Sequence, residues 1–327
     1  MKLNSCALKT ILVTLIATES AFLVYAGIKT ASYLRLKNVL GVATVVPLNK
    51  KKLIFPESYE LKYFYETAPG ITMENPVDWL DHTPKYTINS DSLNERFEYA
   101  TTVSPGVYRI ITMGDSFTFG HYVNTADNWP EQLEVTLNDK LICPDIDKFE
   151  VINLGQPGYD VQYDIYRYKK RGSKYNPDLV IWLPNVARWN ELKFNEIFLC
   201  EASMSAYAAE EIEKGDYGDC QTRAKANVLK KYNQEELVTR SRKFLHEFTG
   251  IYSKKLFLLS LSDSAEVYKR GLKLLQKERP QIYFSDALPD LQTSGYLLPD
   301  GHPSATGHAA ISRAVMSELL NQKIICP

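Results

Sequence analysis

The sequence predicts an α/β fold in which a parallel sheet is covered by helices on both faces. From residue 107 onward, short apolar runs rich in β-branched residues alternate with segments of helical periodicity. Strands that alternate with helices form parallel sheets buried on both faces. The chain has 327 residues and is 45% hydrophobic, which is enough for one large core. Its charged fraction of 24% and aromatic fraction of 12% exclude a mainly disordered chain.

The strands are predicted by apolar runs that end at turn-forming residues. These runs span residues 107–113, 149–154, 178–183, 255–261 and 282–284. The helices are predicted by apolar residues about four positions apart, as in Trp129, Leu133 and Leu137, and by Pro130 in a first helical turn. They span residues 129–141, 161–171, 267–277 and 305–320. Because the strands are parallel, their carboxyl ends meet at one edge of the sheet.

Residues 1–30 contain an apolar run, Ile11–Ile28, that is close to the roughly 20 residues needed to cross a bilayer. It is either an uncleaved signal anchor, in spite of Glu19, or a signal peptide with a small-residue cleavage site at 24–26. A buried soluble helix is the third interpretation. The first two predict a membrane-anchored or secreted protein whose main domain is extracytoplasmic, in the periplasm. Basic residues after the run favour a cytoplasmic orientation instead, so the orientation stays open.

Two segments fall outside the alternating pattern. Residues 31–106 are interrupted by prolines and dense in aromatic residues, which predicts an irregular cover segment on the main domain, residues 107–327. Residues 191–250 form a polar, helix-prone insertion after the third strand. Such loops lie at the sheet edge that binds ligands, so the insertion is either a lid or wall of a cleft, or a solvated decoration. Within it, Cys200 and Cys220 either form a disulfide or are free thiols.

A serine follows the first strand, in the sequence GDSFTFG at 114–120. A serine at a strand-to-helix turn, at the carboxyl edge of the sheet, is well placed as a nucleophile. Gly114 permits the tight turn, and backbone N–H groups beside Ser116 can face a developing oxyanion. The motif differs from the G-x-S-x-G turn of α/β-hydrolases because Thr118 replaces the second glycine. An ordinary Gly-Asp-Ser turn has the same sequence, so Ser116 alone does not decide the chemistry.

A nucleophilic serine needs a base, and the chain has 5 histidines. His302 lies in DGHP, just before the last helix, and Asp300 precedes it by two positions. A carboxylate there can hold the imidazole tautomer and support the imidazolium that forms on proton uptake. His308 lies in the first turn of the helix and is interpreted as structural, whereas His121 follows the serine motif without a nearby carboxylate. Alternative partners for His302 are Asp286 and Asp290.

An acyl-transfer site also needs hydrogen-bond donors for an oxyanion. The second strand runs into NLGQPG, which ends at Gly158, and the third strand is followed by Asn185. Because the carboxyl ends of parallel strands share one edge, we expect Ser116, the Gly158 backbone and the Asn185 side chain to converge. The ordinary interpretations are that Gly158 is a turn residue and that Asn185 is a capping residue.

Taken together, these blocks resemble the SGNH hydrolases, the GDSL-type esterase and lipase family, in its N-terminally anchored bacterial form. The likeness covers roughly residues 107–320 without the insertion. It implies a flavodoxin-like three-layer α/β/α sandwich, a Ser116–His302–Asp300 triad, and an oxyanion hole from Ser116, Gly158 and Asn185. It implies no metal or organic cofactor. The third block departs from the usual Gly-x-Asn-Asp because it reads LPNV, and the last block has Asp-x-His where Asp-x-x-His is common.

The sequence therefore predicts a serine esterase acting on an acyl ester, with an O-acetyl ester on a saccharide as the suggested substrate. The alternatives are an O-acyltransferase on envelope glycans and a catalytically silent glycan-binding or assembly protein of the same fold. The chain has 38 Lys and Arg against 39 Asp and Glu, which excludes a basic nucleic-acid binder. No C-x-x-C, H-E-x-x-H, Walker or G-x-G-x-x-G motif occurs. Besides its substrate, the expected partner is the membrane, through the N-terminal segment.

Overall fold

The computed structural model describes residues 46–47, 63–64, 66–140, 143–184, 226, 230, 233–262, 264, 266–292 and 294–326. The predicted signal or anchor segment 1–30, Asn185, and the pair Cys200 and Cys220 lie outside these residues. Among the residues described, no helix is both long and apolar enough to cross a membrane.

The strands and helices follow the order predicted from residue 107 onward. In chain order the strands are β1 (Val46–Pro47), β2 (Tyr63–Phe64), β3 (Ile71–Glu74), β4 (Lys85–Ile88), β5 (Val107–Gly114), β6 (Lys148–Asn153), β7 (Leu179–Leu183), β8 (Lys255–Leu259) and β9 (Ile282–Ser285). The helices are α1 (Ser116–Phe119), α2 (Trp129–Lys140), α3 (Val161–Arg167), α4 (Gln234–Phe248), α5 (Glu266–Glu278) and α6 (Ala305–Asn321). The predicted helix 161–171 is α-helical only to Arg167 and continues as a π-helical turn, Tyr168–Gly172.

Five strands form one sheet in the order β6-β5-β7-β8-β9, and every neighbouring pair is parallel. Numbered along the chain, this is the 2-1-3-4-5 order of flavodoxin-like doubly wound folds. The predicted α/β fold with a parallel sheet is therefore confirmed. The strand order reverses between β5 and β7, and ligands of such folds bind outside the strand carboxyl ends at that point.

Helices cover both faces of the sheet. On β7, Val180 and Trp182 join the core under α3, α4 and α5, whereas Leu179, Ile181 and Leu183 join the core under α2 and α6. Side chains on a strand alternate between faces, so a continuous apolar run in β7 is what two buried faces require.

Helix α4 changes the interpretation of the insertion predicted at 191–250. Its side chains Phe244, Leu245 and Phe248 are at most 1% exposed and belong to the core under α3 and α5. The helix lies between β7 and β8 in the chain and begins with a capping box of Asn233 and Glu236. Residues 234–248 are therefore a crossover helix of the α/β fold and not part of an insertion. The segment was interpreted as an insertion because its composition is polar. Its polar residues lie on the outer face of α4, whereas its apolar residues lie on the face that packs in the core.

The cover segment is more regular than predicted and is part of the main core. Strands β3 and β4 form an antiparallel hairpin, so the predicted irregular structure is wrong for residues 71–88. Tyr86 and Ile88 of this hairpin pack with Phe119 of α1. Farther along, Leu93 is completely buried in the core of the parallel sheet. The hairpin therefore contacts the helix that carries the serine motif.

Ion pairs join the cover segment to α3 and to the π-helical turn that follows it. The Glu66 carboxylate contacts Arg167 at 3.2 Å and Arg171 at 2.6 Å, and Arg167 also donates to the Ser92 carbonyl at 2.7 Å. Arg167 is completely buried, so removing Glu66 would leave a buried charge unpaired.

A disulfide joins Cys143, just before β6, to Cys326, near the end of the chain. Their Cα atoms are 5.2 Å apart and the bond spans 183 residues of sequence. This pair was not among the disulfides considered from the sequence, because nothing local relates two cysteines so far apart.

Candidate active site

The serine motif forms a sharp turn at the carboxyl edge of the sheet. Strand β5 ends at Gly114, and Ser116 is the first residue of α1. The Asp115 carboxylate caps this short helix by accepting from the Phe117 N–H at 2.9 Å. Gly114 has φ +149°, and a side chain on it would lie 2.7 Å from the Leu183 carbonyl at the end of β7. The glycine thus lets Ser116 sit between the ends of β5 and β7, where the strand order reverses.

Two buried asparagine side chains donate hydrogen bonds to the carbonyls of α1. Asn94, in the cover segment, donates to the Phe119 carbonyl at 2.8 Å, and Asn153, at the end of β6, donates to the Thr118 carbonyl at 3.0 Å. Both side chains are completely buried. They satisfy carbonyls that a four-residue helix leaves without internal partners. The sequence pattern indicated no role for either residue: Asn153 begins the NLGQPG motif, and Asn94 lies in no motif.

A short backbone loop fixes His302 ahead of α6. The Leu298 N–H donates to the His302 carbonyl at 2.7 Å, and the Gly301 N–H donates to the Leu298 carbonyl at 2.9 Å. Gly301 has φ +91°, which the turn requires and which glycine adopts without strain. The loop therefore presents the imidazole from a closed turn at the start of the last helix.

Ser116, His302 and Asp300 form one hydrogen-bonded chain. The His302 Nε2 lies 2.9 Å from the Ser116 Oγ, and its Nδ1 lies 2.6 Å from the Asp300 Oδ2. The other carboxylate oxygen of Asp300 accepts from the His302 backbone N–H at 3.1 Å. The histidine and aspartate side chains are 24% and 26% exposed, so this chain of groups is open to solvent on one side.

The alternative aspartates make other contacts. Asp286 forms an ion pair with Lys273 at 2.9 Å. Asp290 accepts from the Gln292 N–H at 2.9 Å and lies at a shallow pocket beside Phe117 and Gly301. Of the three candidate carboxylates, Asp300 is the one that the structure places against the His302 ring.

Three aromatic rings lie close to the His302 ring. The ring centroids of Phe117, His121 and Tyr122 lie 5.7, 5.2 and 5.3 Å from that of His302. His121 and Tyr122 had no assigned role in the site from sequence, although they directly follow the serine motif. Their proximity depends on the left-handed backbone at Gly120 and Tyr122, which a periodicity analysis does not detect.

Burial keeps two further histidines neutral. Burial, and secondarily the charge of His302, lowers the pKa of His121 to about 4, and the same causes lower the pKa of His308 to about 3. His121 therefore adds no positive charge beside His302 at neutral pH. His308 is completely buried and its Nδ1 accepts from the Trp129 N–H at 3.3 Å, which agrees with a structural role.

The candidate oxyanion donors are placed only in part. Gly158 lies in the loop after β6, has φ +79°, and is half-buried. This loop is tied to the serine turn because the Gln156 N–H donates to the Gly114 carbonyl at 3.0 Å. Asn185 follows β7 by two positions and lies outside the described residues. Within the described ranges, no three His, Cys, Asp or Glu side chains are grouped so that they could hold a metal.

Comparison with known proteins finds similar solved structures. No protein-family model matches the chain, and no curated protein sequence matches it. Among solved structures it is similar to TesA, with 14% identity and a TM-score of 0.42, covering 65% of this chain and 98% of TesA. It is also similar to an acetylxylan esterase from Geobacillus stearothermophilus, Axe2, with 17% identity and a TM-score of 0.42, covering 66% of this chain and 95% of that one.

A third similar structure is the lipase/acylhydrolase from Enterococcus faecalis, with 13% identity and a TM-score of 0.41, covering 66% of this chain and 96% of that one. At these identities and TM-scores, the likeness does not transfer an activity to this chain. Its chemistry has to follow from its own side chains.

Proposed function

We propose that this chain is a serine esterase of the SGNH, or GDSL-type, family. The observation that carries the proposal is the continuous hydrogen-bond chain Asp300–His302–Ser116 at the carboxyl edge of the sheet. A serine, an imidazole within hydrogen-bond reach and an orienting carboxylate are the elements of nucleophilic acyl transfer.

In the first half-reaction, the His302 Nε2 takes the Ser116 proton while the Oγ attacks the ester carbonyl carbon. The carbonyl π electrons move to its oxygen and form a tetrahedral oxyanion. Collapse of this intermediate breaks the bond to the alcohol oxygen, which leaves with the proton now on His302. The Asp300 carboxylate stabilises the transient imidazolium.

In the second half-reaction, water replaces the alcohol. The His302 Nε2 takes a proton from water, the hydroxide oxygen attacks the acyl carbon, and collapse releases the carboxylic acid and returns the proton to Ser116. A sugar hydroxyl in place of water would give transfer instead of hydrolysis. Measuring acid release with and without an added sugar acceptor separates the two reactions.

Three donors are proposed for the oxyanion: the Ser116 N–H, the Gly158 N–H and the Asn185 side chain. Ser116 follows the end of β5 at Gly114, and the loop that contains Gly158 donates from the Gln156 N–H to the Gly114 carbonyl. Asn185 is proposed from its place in the sequence after β7. Preorganised donors of this kind act mainly on the transition state.

We place the active domain outside the cytoplasm, anchored or exported through residues 11–28. The Cys143–Cys326 disulfide supports this location, because structural disulfides persist in oxidising compartments. Accessibility of the domain to protease in intact cells and in spheroplasts tests the orientation. Digestion in spheroplasts alone is expected for a periplasmic domain, and protection in both would place the domain in the cytoplasm.

The nucleophile is tested by labelling the full-length chain with a fluorophosphonate probe and mapping the modified peptide. We expect an adduct on Ser116 that disappears in Ser116→Ala and His302→Ala. His246→Ala is the matched control, because His246 is exposed and lies at the end of α4. A folded protein without an adduct, or an adduct on another serine, would contradict the proposed mechanism.

A further inference from the structure

The cover segment places an exposed tryptophan close to the proposed active site. Trp79 lies in the connection between β3 and β4 and is 39% exposed. Its ring centroid is 4.9 Å from that of Tyr122, with an interplanar angle of 71°, and Tyr122 in turn lies 5.3 Å from His302. Trp79 and Tyr122, here named the aromatic shelf, therefore extend outward from the catalytic histidine.

The backbone of Tyr122 is held in an unfavourable conformation. Its φ is +69°, a left-handed value that strains the backbone of a bulky residue. The Tyr86 hydroxyl of strand β4 accepts from the Tyr122 N–H at 2.8 Å and keeps this conformation in place. The hairpin thus fixes both rings of the shelf: it carries Trp79 and it orients Tyr122.

The chemistry of the reaction decides which part of an ester meets the shelf. The alcohol oxygen must receive its proton from the His302 Nε2, so the alcohol moiety has to lie against the open side of His302. The ring of Tyr122 contacts His302, and Trp79 continues from it toward solvent. The carbonyl oxygen of the ester faces the proposed oxyanion donors instead.

The surroundings of the shelf favour a polar ligand with one apolar face. The turn that carries Trp79 also exposes Asp78, Asp81 and His82, and the last two are hydrogen-bonded at 2.7 Å. A pyranose ring offers weakly positive C–H bonds to the negative face of an aromatic ring, and hydroxyls to neighbouring polar groups. A long alkyl chain would instead need a continuous apolar groove, and charged side chains interrupt one here.

We propose that Trp79 and Tyr122 form a saccharide subsite that binds the sugar ring carrying the scissile ester. This inference rests on the proposed esterase function, because it takes the leaving alcohol to be the sugar. It makes the cover hairpin a determinant of specificity as well as a support for α1.

Kinetics on two substrates test the subsite in the full-length chain. The substrates are acetylated xylotriose, whose leaving alcohol is a sugar, and ethyl acetate, whose leaving alcohol has no ring that could contact the shelf. We expect Trp79→Ala to raise KM for acetylated xylotriose about ten-fold, and to lower kcat/KM for it about ten times more than for ethyl acetate. Trp79→Phe should recover much of the loss, since it retains an aromatic face.

The matched control is Phe97→Ala, an aromatic residue in the same cover segment that is 45% exposed and stacks under Arg96 rather than against the site. It should leave both reactions within two-fold of the wild type. Equal losses on the two substrates in Trp79→Ala, or the same selective loss in Phe97→Ala, would overturn the subsite. A loss confined to 4-nitrophenyl octanoate would overturn it too, because it would indicate a site for an alkyl chain.

Binding without turnover separates the subsite from the esterase function. Calorimetric titration of Ser116→Ala with unmodified and acetylated xylotriose should show binding that weakens about ten-fold when Trp79→Ala is added. Such binding in a protein without esterase activity would retain the saccharide site and reject the proposed reaction. No difference between the single and double variants would overturn the site whatever the activity.

Discussion

At the scale of single residues, Asp300 shows how a two-residue spacing can orient a histidine, here the base of the proposed mechanism. One carboxylate oxygen accepts from the His302 backbone N–H and the other contacts the His302 Nδ1. The loop therefore brings the carboxylate to both the backbone and the ring of the same residue. Because Gly301 provides the required turn between them, Asp-x-His achieves this contact locally.

Replacement of Asp300 tests this role. Asp300→Asn removes the charge that supports the imidazolium and favours the wrong imidazole tautomer, so kcat should fall by about 10²- to 10⁴-fold with a small change in KM. Asp286→Asn is the control, because its carboxylate pairs with Lys273, and its kcat should stay near the wild-type value. Steady-state kinetics with 4-nitrophenyl acetate gives the comparison. A larger loss in Asp290→Asn would reassign the partner of His302.

A second residue-scale feature is a buried carboxyl cluster between the cover segment and α2. Glu95 is completely buried and accepts from the Asn153 backbone N–H, while the Tyr99 hydroxyl donates to Glu134 at 3.0 Å. Arg96 pairs with Glu131 at 2.7 Å. Burial, and then the charge of Glu131, raises the pKa of Glu95 well above its usual value. The folded state therefore favours the protonated form of Glu95.

This raised pKa predicts a pH-dependent stability. The stabilising contribution of protonated Glu95 is complete below its unfolded pKa, about 4.3, and is lost as pH rises through the folded value. Between those two pKa values, each rise of one pH unit lowers the free energy of unfolding by about 1.4 kcal/mol. Glu95→Gln imitates the protonated form, so its stability relative to the wild type should increase from pH 5 to pH 8. Urea unfolding at several pH values measures this.

The exposed Glu266, which pairs with Lys269 on α5, supplies the control for this experiment. Glu266→Gln should shift the unfolding free energy by a small amount that does not grow with pH. A pH slope in Glu95→Gln equal to that of the wild type would show that Glu95 is ionised in the folded protein.

At the scale of elements, helix α1, which carries Ser116, is positioned by its neighbours more than by its own sequence. Its four residues are too few to be stable alone. Asn94 and Asn153 hold its carbonyls, Phe119 packs against Tyr86, and Gly155 passes directly beneath it. The position of Ser116 therefore depends on β6 and on the cover segment at once.

Gly155→Ala tests how closely α1 must be held. The added methyl group would lie 2.6 Å from the Thr118 carbonyl carbon and closer still to the Phe119 nitrogen, and neither backbone atom can move freely. Overpacking of this kind costs about 1–3 kcal/mol of stability, and a displaced nucleophile costs on the order of 10²-fold in kcat. Thermal unfolding and kinetics with 4-nitrophenyl acetate measure the two effects.

Gly250→Ala is the control for this substitution, because Gly250 follows α4 at the opposite edge of the sheet and its added methyl group meets only the Glu247 carbonyl, at 3.2 Å. It should leave kcat unchanged. Wild-type kcat in a folded Gly155→Ala protein would show that α1 tolerates displacement.

At the scale of the whole molecule, the Cys143–Cys326 disulfide closes the domain by tying its C-terminal end to the loop before β6. The neighbouring Ile324 and Ile325 are buried in the core under α2 and α6. A crosslink between distant positions chiefly restricts the unfolded chain, and typical natural disulfides contribute about 2–4 kcal/mol.

Removal of this bond predicts a loss of thermal stability. Cys326→Ser should lower Tm by several degrees, and dithiothreitol should lower the Tm of the wild type to a similar extent. In Cys326→Ser, the reductant should have little further effect. A reductant effect that persists there would come from another pair, such as Cys200 and Cys220, and peptide mapping that finds free thiols at Cys143 and Cys326 would contradict the bond.

The sequence by itself determined the α/β fold, because each strand and helix carries its own periodicity and its own turn residues. It also predicted Ser116, Gly158 and Asn185 at the ends of successive strands, because parallel strands share one carboxyl edge. His302 and Asp300 were identified by their adjacency. Each of these inferences needed only local patterns and one rule of topology.

Only the tertiary structure decided which distant groups meet. Asn94 donates a hydrogen bond to α1, and Trp79 packs against Tyr122 beside His302. Cys143 is bonded to Cys326, and the apolar face of α4 packs in the core. These contacts join positions that share no local pattern, and they depend on backbone turns at positive φ and on side-chain direction. Sequence periodicity reports which face of an element is apolar, whereas packing decides which partner covers that face.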